Sequence, residues 1–191
     1  MDYKTLLEQQ NITVDAALED KIERYKTLLL KWNATHNLTG IRSEEQLDAF
    51  IADALYPLAF LPPVKTALDI GTGAGFPGMI LAMALPQTHF TLSEPLVKRA
   101  SFLQFVKADL ALDNVSVANV RVETLNPQVF DLITSRAVTD TAMLMQLAKG
   151  LYGKGSLLLF YKGEKVYDEV DNSLNYRIIQ TQNRHYLLIE S

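Results

Sequence analysis

The segment Leu68-Asp69-Ile70-Gly71-Thr72-Gly73-Ala74-Gly75-Phe76-Pro77-Gly78 constrains the fold of this chain more than any other. It leaves a short apolar strand pattern at 66–70 and enters a helical pattern at Pro77, a residue favoured at the first helical position. Gly71, Gly73 and Gly75 remove Cβ where the backbone must turn sharply and approach a ligand. The amides at the start of the following helix favour an anionic group. Glu94 closes the next strand pattern, 19 residues after Gly75, where a carboxylate can accept hydrogen bonds from both hydroxyls of a ribose.

Spacing selects among cofactors. A dinucleotide fingerprint places its third glycine three positions after the second, and Phe76 stands there. The order is G-x-G-x-G instead, and Asp69 just ahead of it supplies a carboxylate suited to an amino group. A ribose and an amino-acid tail point to S-adenosylmethionine. A nicotinamide site and a loop serving only as a tight turn are the competing readings.

The rest of the chain supports an α/β architecture. Before Pro62-Pro63 the pattern is helical: Leu18, Ile22, Tyr25, Leu29 and Trp32 share one face, with Thr13 expected to cap their helix. Ser43-x-x-Gln46 is a capping-box pattern for a helix burying Leu47, Phe50, Ile51, Ala54 and Leu58. After Pro63, strand patterns at 66–70, 90–93, 115–120, 130–134 and 156–161 alternate with helical ones at 77–85, 96–110 and 139–151. Such alternation predicts a mainly parallel sheet covered on both faces. Two extended segments, 176–181 and 185–190, read as a closing antiparallel hairpin turning at Gln182-Asn183-Arg184. The expected division is a helical extension over 1–62 and a cofactor-binding domain over 63–191.

Composition narrows the partners. With no cysteine there is no disulfide framework and no thiolate nucleophile. The net charge is −4, so a nucleic-acid partner must be met by a local patch. The uncharged run 70–93 is too rich in glycine and proline to span a membrane, and MDYKTLLEQQ has no secretory pattern. The cytoplasm is the expected compartment. His36, His89 and His185 show no ligand spacing, so no metal site is expected.

The glycine loop, Glu94-Pro-Leu-Val-Lys-Arg99, Arg121-Val-Glu123, Ser135-Arg136-Ala137, Lys162-Gly163, Lys31-Trp-Asn33 and Asn37-Leu-Thr39 all occur in one chain. Together they resemble the bacterial small-subunit rRNA methyltransferase G family, also called glucose-inhibited division protein B, from about Tyr25 to Arg184. The resemblance implies a Rossmann-like class I methyltransferase fold with a seven-stranded sheet and an N-terminal helical extension. It also implies methyl transfer from S-adenosylmethionine to N7 of one guanine in 16S rRNA, presented as free rRNA or as the 30S ribosomal subunit, by a protein expected to be a monomer. By motif, Asp69, Gly71, Thr72, Gly73, Gly75, Phe76 and Gly78 would surround the cofactor. Glu94 would hold its ribose, Val122 and Glu123 its adenine, and Arg136 would face both cofactor and target. The chain departs from the family where His-x-x-Asp-Ser is replaced by Phe50-Ile51-Ala52-Asp53-Ala54, so that only Asp53 matches.

The chemistry agrees with that implication. Guanine N7 has an in-plane lone pair and no proton, so the reaction needs alignment more than acid–base help. Arg136, at the end of the fourth strand, can donate to guanine O6 or to a phosphate, or can pair with Asp140. Arg136 and Lys162 are the candidate positioning residues of the catalytic site. Lys98, Arg99 and Lys162 are candidate RNA contacts, with Lys26, Lys31 and Arg42 weaker ones; a solvated surface is the plain alternative for each. Trp32 reads as core. A class I methyltransferase acting on a small molecule or protein, and a non-catalytic cofactor-binding assembly factor, remain alternatives.

Overall fold

A computed structural model describes residues 1–181 and 184–191. Three helices come first: α1 (Tyr3–Glu8), α2 (Ala16–His36) and α3 (Glu44–Leu55), with a 3-10 turn at Tyr56–Ala59. Asp15, not Thr13, caps α2, its carboxylate accepting from the Leu18 amide at 2.8 Å. A carboxylate two residues later in the chain offers the stronger, charge-assisted cap. The capping box of α3 is present in shifted form: Ser43 accepts from the Gln46 amide, while the Gln46 side chain reaches back to the Arg42 amide at 2.7 Å. Asn37 ends α2 in the left-handed conformation, φ 50°, turning the chain towards the sheet.

The sheet contains β1 (Thr66–Ile70), β2 (His89–Ser93), β3 (Val115–Ala118), β4 (Leu132–Arg136), β5 (Leu157–Lys162), β6 (Tyr176–Gln180) and β7 (His185–Glu190). Their order is β3-β2-β1-β4-β5-β7-β6. The first five are parallel; β7 inserts antiparallel between β5 and β6 and closes the sheet. Of the three residues expected in that hairpin turn, Gln182 and Asn183 lie outside the described residues. The crossover helices are α4 (Gly78–Ala84), α5 (Val97–Asp109) and α6 (Thr141–Leu147), with a short α7 (Val166–Glu169).

Strand side chains alternate between two apolar cores, as the period of two requires. Ala67, Leu132, Leu159, Tyr161, Tyr186 and Leu188 face the core built with α1 to α5. Leu68, Ile133, Leu158, Phe160, Leu187 and Ile189 face the core built with α6 and α7. The N-terminal helices therefore share one continuous core with the cofactor-side helices. Strand order reverses between β1 and β4, and at such a switch point the carboxyl ends of the strands open a crevice. Ile70, Ser93, Arg136 and Lys162 end their strands on that edge. Among the described residues, no helix is long and apolar enough to cross a membrane.

Candidate active site

The loop after β1 turns through three left-handed glycines, Gly71 (φ 64°), Gly73 (φ 62°) and Gly75 (φ 111°). The Gly71 and Thr72 amides donate to the Ser93 carbonyl at 2.9 and 3.2 Å, binding the loop to the end of β2. Glu94 follows at once. Its two carboxylate oxygens accept from the Gly73 amide and the Leu96 amide, each at 2.9 Å. A carboxylate has about four acceptor positions, so Glu94 keeps capacity for a pair of hydroxyls. Residues 71–74, Phe76 and Glu94 border a cavity of about 370 Å³, completed by Arg99, Arg136–Val138 and residues 38–40. The Thr72 side chain is buried at its edge, with its hydroxyl beside the Asp69 carboxylate. A buried carboxylate with free acceptor positions and a Cβ-free loop fit an adenosine cofactor with an amino-acid tail.

Asp69 plays a different part from the one expected. It is wholly buried and does not border the cavity. One carboxylate oxygen accepts from the Gly78 amide at 2.8 Å and the other from the Thr134 hydroxyl at 2.8 Å. The amide expected to attract a ligand anion at the start of α4 is thus taken by the protein's own carboxylate. Burial pushes the Asp69 carboxyl up to about 6, against the opposing pull of Thr72, Thr134, the Gly78 amide and Arg136. Gly78 and Gly75 are packing glycines: a Cβ would stand 2.6 Å from Asp69 Cβ at the first and 2.8 Å from Met79 Cβ at the second. Helix α4 begins at Gly78, one residue after the expected start at Pro77.

The helical extension supplies the roof. The Asn33 side chain accepts from the Thr39 amide at 2.9 Å and donates to the Ile41 carbonyl at 3.3 Å, folding the 37–41 loop over the cavity. Arg99 Nε donates to the Leu38 carbonyl at 3.0 Å, and its Nη1 lies 4.0 Å from Glu94. Arg99 is therefore a cavity wall and roof clamp, with its side chain about one-third exposed. Tyr25, on the apolar stripe of α2, donates to the Ala74 carbonyl at 2.7 Å and braces the glycine loop from beneath.

Arg136 ends β4 on the cavity wall, 9% exposed. Its partner is Asp53, at 3.2 Å from Nη2; Asp140 instead caps α6. Asp53 also accepts from Arg184 Nε at 2.9 Å and the Tyr186 hydroxyl at 2.8 Å. The Phe50 ring lies 3.7 Å from the guanidinium carbon, a cation–π stack, and meets the Phe76 ring edge-on at 5.6 Å. Burial draws the Arg136 pKa down and Asp53 opposes it; the group remains a cation.

Other expected residues lie elsewhere. Lys162 is buried, donating to Glu169 at 2.8 Å and to the Thr139 carbonyl at 3.0 Å. It ties the loop after β4 to α7 and has no free surface for a phosphate. Val122 and Glu123 sit on a 3-10 turn, Val122 buried and Glu123 exposed, outside the cavity lining. Lys98 is exposed and does not border the cavity. Lys26 pairs with Asp48 at 2.7 Å. Sequence reasoning missed Asp53, Arg184 and Tyr186 as the holders of Arg136; the one signal was the match of Asp53 to the family pattern.

Comparison with known proteins follows the same line. A crystal structure of a methyltransferase from Geobacter sulfurreducens superposes with a TM-score of 0.65 over all of this chain and 96% of its own, at 14% identity, a likeness of fold. Curated relatives named ribosomal RNA small subunit methyltransferase G are far nearer in sequence. The Wolinella succinogenes protein is 47% identical over 96% of this chain and 95% of its own length, and the Aliarcobacter butzleri protein 43% identical over 97% and 96%. Residues 18–188, which hold the roof loop, the glycine loop, Glu94 and the Arg136 cluster, match the family model described as GidB, rRNA small subunit methyltransferase G, and the chain belongs to that family.

Proposed function

We propose that the protein is an S-adenosylmethionine-dependent 16S rRNA methyltransferase that acts on N7 of a guanine, working as a cytoplasmic monomer on the 30S subunit or its rRNA. The observation that carries this reading is one cavity bordered by the glycine loop, by Glu94 and by the Arg136 cation at a β-sheet switch point. When bound, the cofactor supplies a sulfonium methyl: the bond from N7 to carbon forms as the carbon–sulfur bond breaks, its electron pair going to sulfur, and no proton leaves N7.

The chain's own residues do the rest by binding and alignment. Glu94 would accept from the ribose hydroxyls. Residues 38–40 would exclude water from above. Arg136 would orient the base from the far wall without acting as a base itself. Such positioning is the expected source of rate for a nucleophile that needs no deprotonation.

The test is transfer of labelled methyl to 30S subunits, to free 16S rRNA and to total protein, all from cells lacking this activity, with the modified base mapped. Label on guanine N7 of 16S rRNA is the expected result. Label on protein or a small molecule alone would refute the substrate. Binding of the cofactor with no transfer to any fraction would favour the assembly-factor reading.

A further inference from the structure

A second cavity, of about 260 Å³, lies between α1, α3 and the β6–β7 hairpin, and shares Phe50 and Arg136 with the cofactor cavity. We propose that it seats the acceptor guanine, an assignment that rests on the rRNA reading above and gives it a place. It is smaller than the roughly 300–1,000 Å³ pockets that take drug-sized ligands, and suits a single base. Its walls offer the half-buried rings of Phe50 and Tyr56, the latter backed by the buried Tyr186 ring at a centroid distance of 5.1 Å. Aromatic faces stack on unpaired bases, the usual way proteins hold a nucleotide taken out of an RNA loop.

Charge adds a preference among bases. Arg136 and Arg184 both border the cavity and share the single carboxylate of Asp53, which leaves one positive charge. Arg136 Nη1 is buried and has no hydrogen-bond partner, an arrangement costly for a charged donor. Guanine presents an acceptor, O6, beside N7, whereas adenine presents an amino donor there. An N–H from this arginine pair, of which Arg184 is the more exposed, to O6 would leave the N7 lone pair free. As N7 acquires a methyl the ring gains positive charge, and Asp53 offsets the repulsion that a bare guanidinium would exert.

Two fillings of the cavity test this from opposite sides. Ala49 on α3 and Gln10 after α1 are exposed residues on its wall, and neither contacts Arg136 or Asp53 in the hydrogen-bond and ion-pair network. Ala49→Phe and Gln10→Trp place bulk where the base would lie. Because one filling arises on α3 and the other in the turn after α1, a folding defect in one leaves the other informative; thermal melts identify it. S-Adenosylhomocysteine affinity, read by calorimetry, should be unchanged in both. The kcat/KM for unmethylated 30S subunits should fall about 100-fold, the scale of a misplaced reactant. Wild-type transfer by a folded filling variant overturns the assignment while leaving the rRNA reading standing. Loss of cofactor affinity in parallel with transfer also overturns it, since the cavity would then serve the cofactor. Failure of the wild-type protein to label rRNA removes the rRNA reading itself, and the guanine assignment with it.

Discussion

Asp53→Asn removes one charge from the Arg136 cluster with almost no change of shape. In the wild type the carboxylate serves three donors, Arg136 at 3.2 Å, Arg184 at 2.9 Å and Tyr186 at 2.8 Å. The Arg136 side chain is 6% exposed and that of Asp53 12%, so the pair is poorly screened. Removing one partner of a buried pair costs about 3–5 kcal/mol. Asparagine keeps one carbonyl oxygen for Tyr186 or Arg184, and Asp53 touches some solvent, which places the loss near 3 kcal/mol. For a chain of this length that lowers Tm by roughly 6–12 °C.

Activity should respond separately. Arg136 would keep its stack on Phe50 but lose the group that sets its direction, and transfer to 30S subunits should fall about 100-fold with cofactor affinity retained. Asp53 is a positioning residue, and a double-mutant cycle with Arg136→Ala isolates its effect. If Asp53 acts through Arg136, the two losses in kcat/KM do not add, and the coupling is about 0.5–3 kcal/mol. Additive losses, or a variant as stable and active as wild type, would refute the reasoning.

Asp69 gives a pH signature. Its folded pKa of about 6 lies above the ordinary 3.8, so the native state holds that proton more tightly than the unfolded chain. Stability from this group is present at low pH and is lost as pH rises from about 4 to about 6, to the extent of ~3 kcal/mol. Asp69→Asn can keep the Gly78 and Thr134 bonds, so the Tm difference between variant and wild type should titrate over that window; a flat difference in a pH series of melts contradicts the assignment. Gly78→Ala forces a Cβ to 2.5 Å from Leu92 Cδ2 and should destabilise by about 1–3 kcal/mol in urea unfolding. Arg99→Ala should weaken cofactor binding about tenfold by freeing the roof at Leu38, worth ~1.4 kcal/mol. The salt slope of 30S binding should stay unchanged, whereas a phosphate contact would lower it by about one.

The strand and helix order was legible because apolar period reports which faces are covered. Its limit shows at β4, expected at 130–134 and found at Leu132–Arg136. Phe130 is buried, but its amide bonds to the Leu151 carbonyl outside the ladder, so burial and pairing part company there. The glycine loop and Glu94 were legible because neighbouring residues build them. Arg136 itself was found, and its partner was not: Asp140 is four residues away, whereas Asp53 comes from the helical extension. Arg184 and Asp53 are 131 positions apart, and no local pattern encodes such a pairing. Lys162 misled because a lysine after a strand looks the same in sequence whether it faces solvent or a buried Glu169.

The missed partners of Arg136 lie on one side of the molecule, and that side has a physical meaning. The glycine loop and Glu94 are built by local turns at the ends of neighbouring strands, which is why fold and cofactor are readable in order along the chain. The wall of the second cavity is assembled from α1, α3, the end of β4 and the terminal hairpin, elements far apart along the chain. Phe50, where this chain departs from the expected pattern, and Asp53, where it matches, both touch the same guanidinium. A stacked ring in place of a histidine can preserve the placement of Arg136 as long as the carboxylate remains. Replacement at Phe50 should therefore be tolerated by any flat side chain, while replacement at Asp53 should not; the cluster depends on charge at one position and on shape at the other.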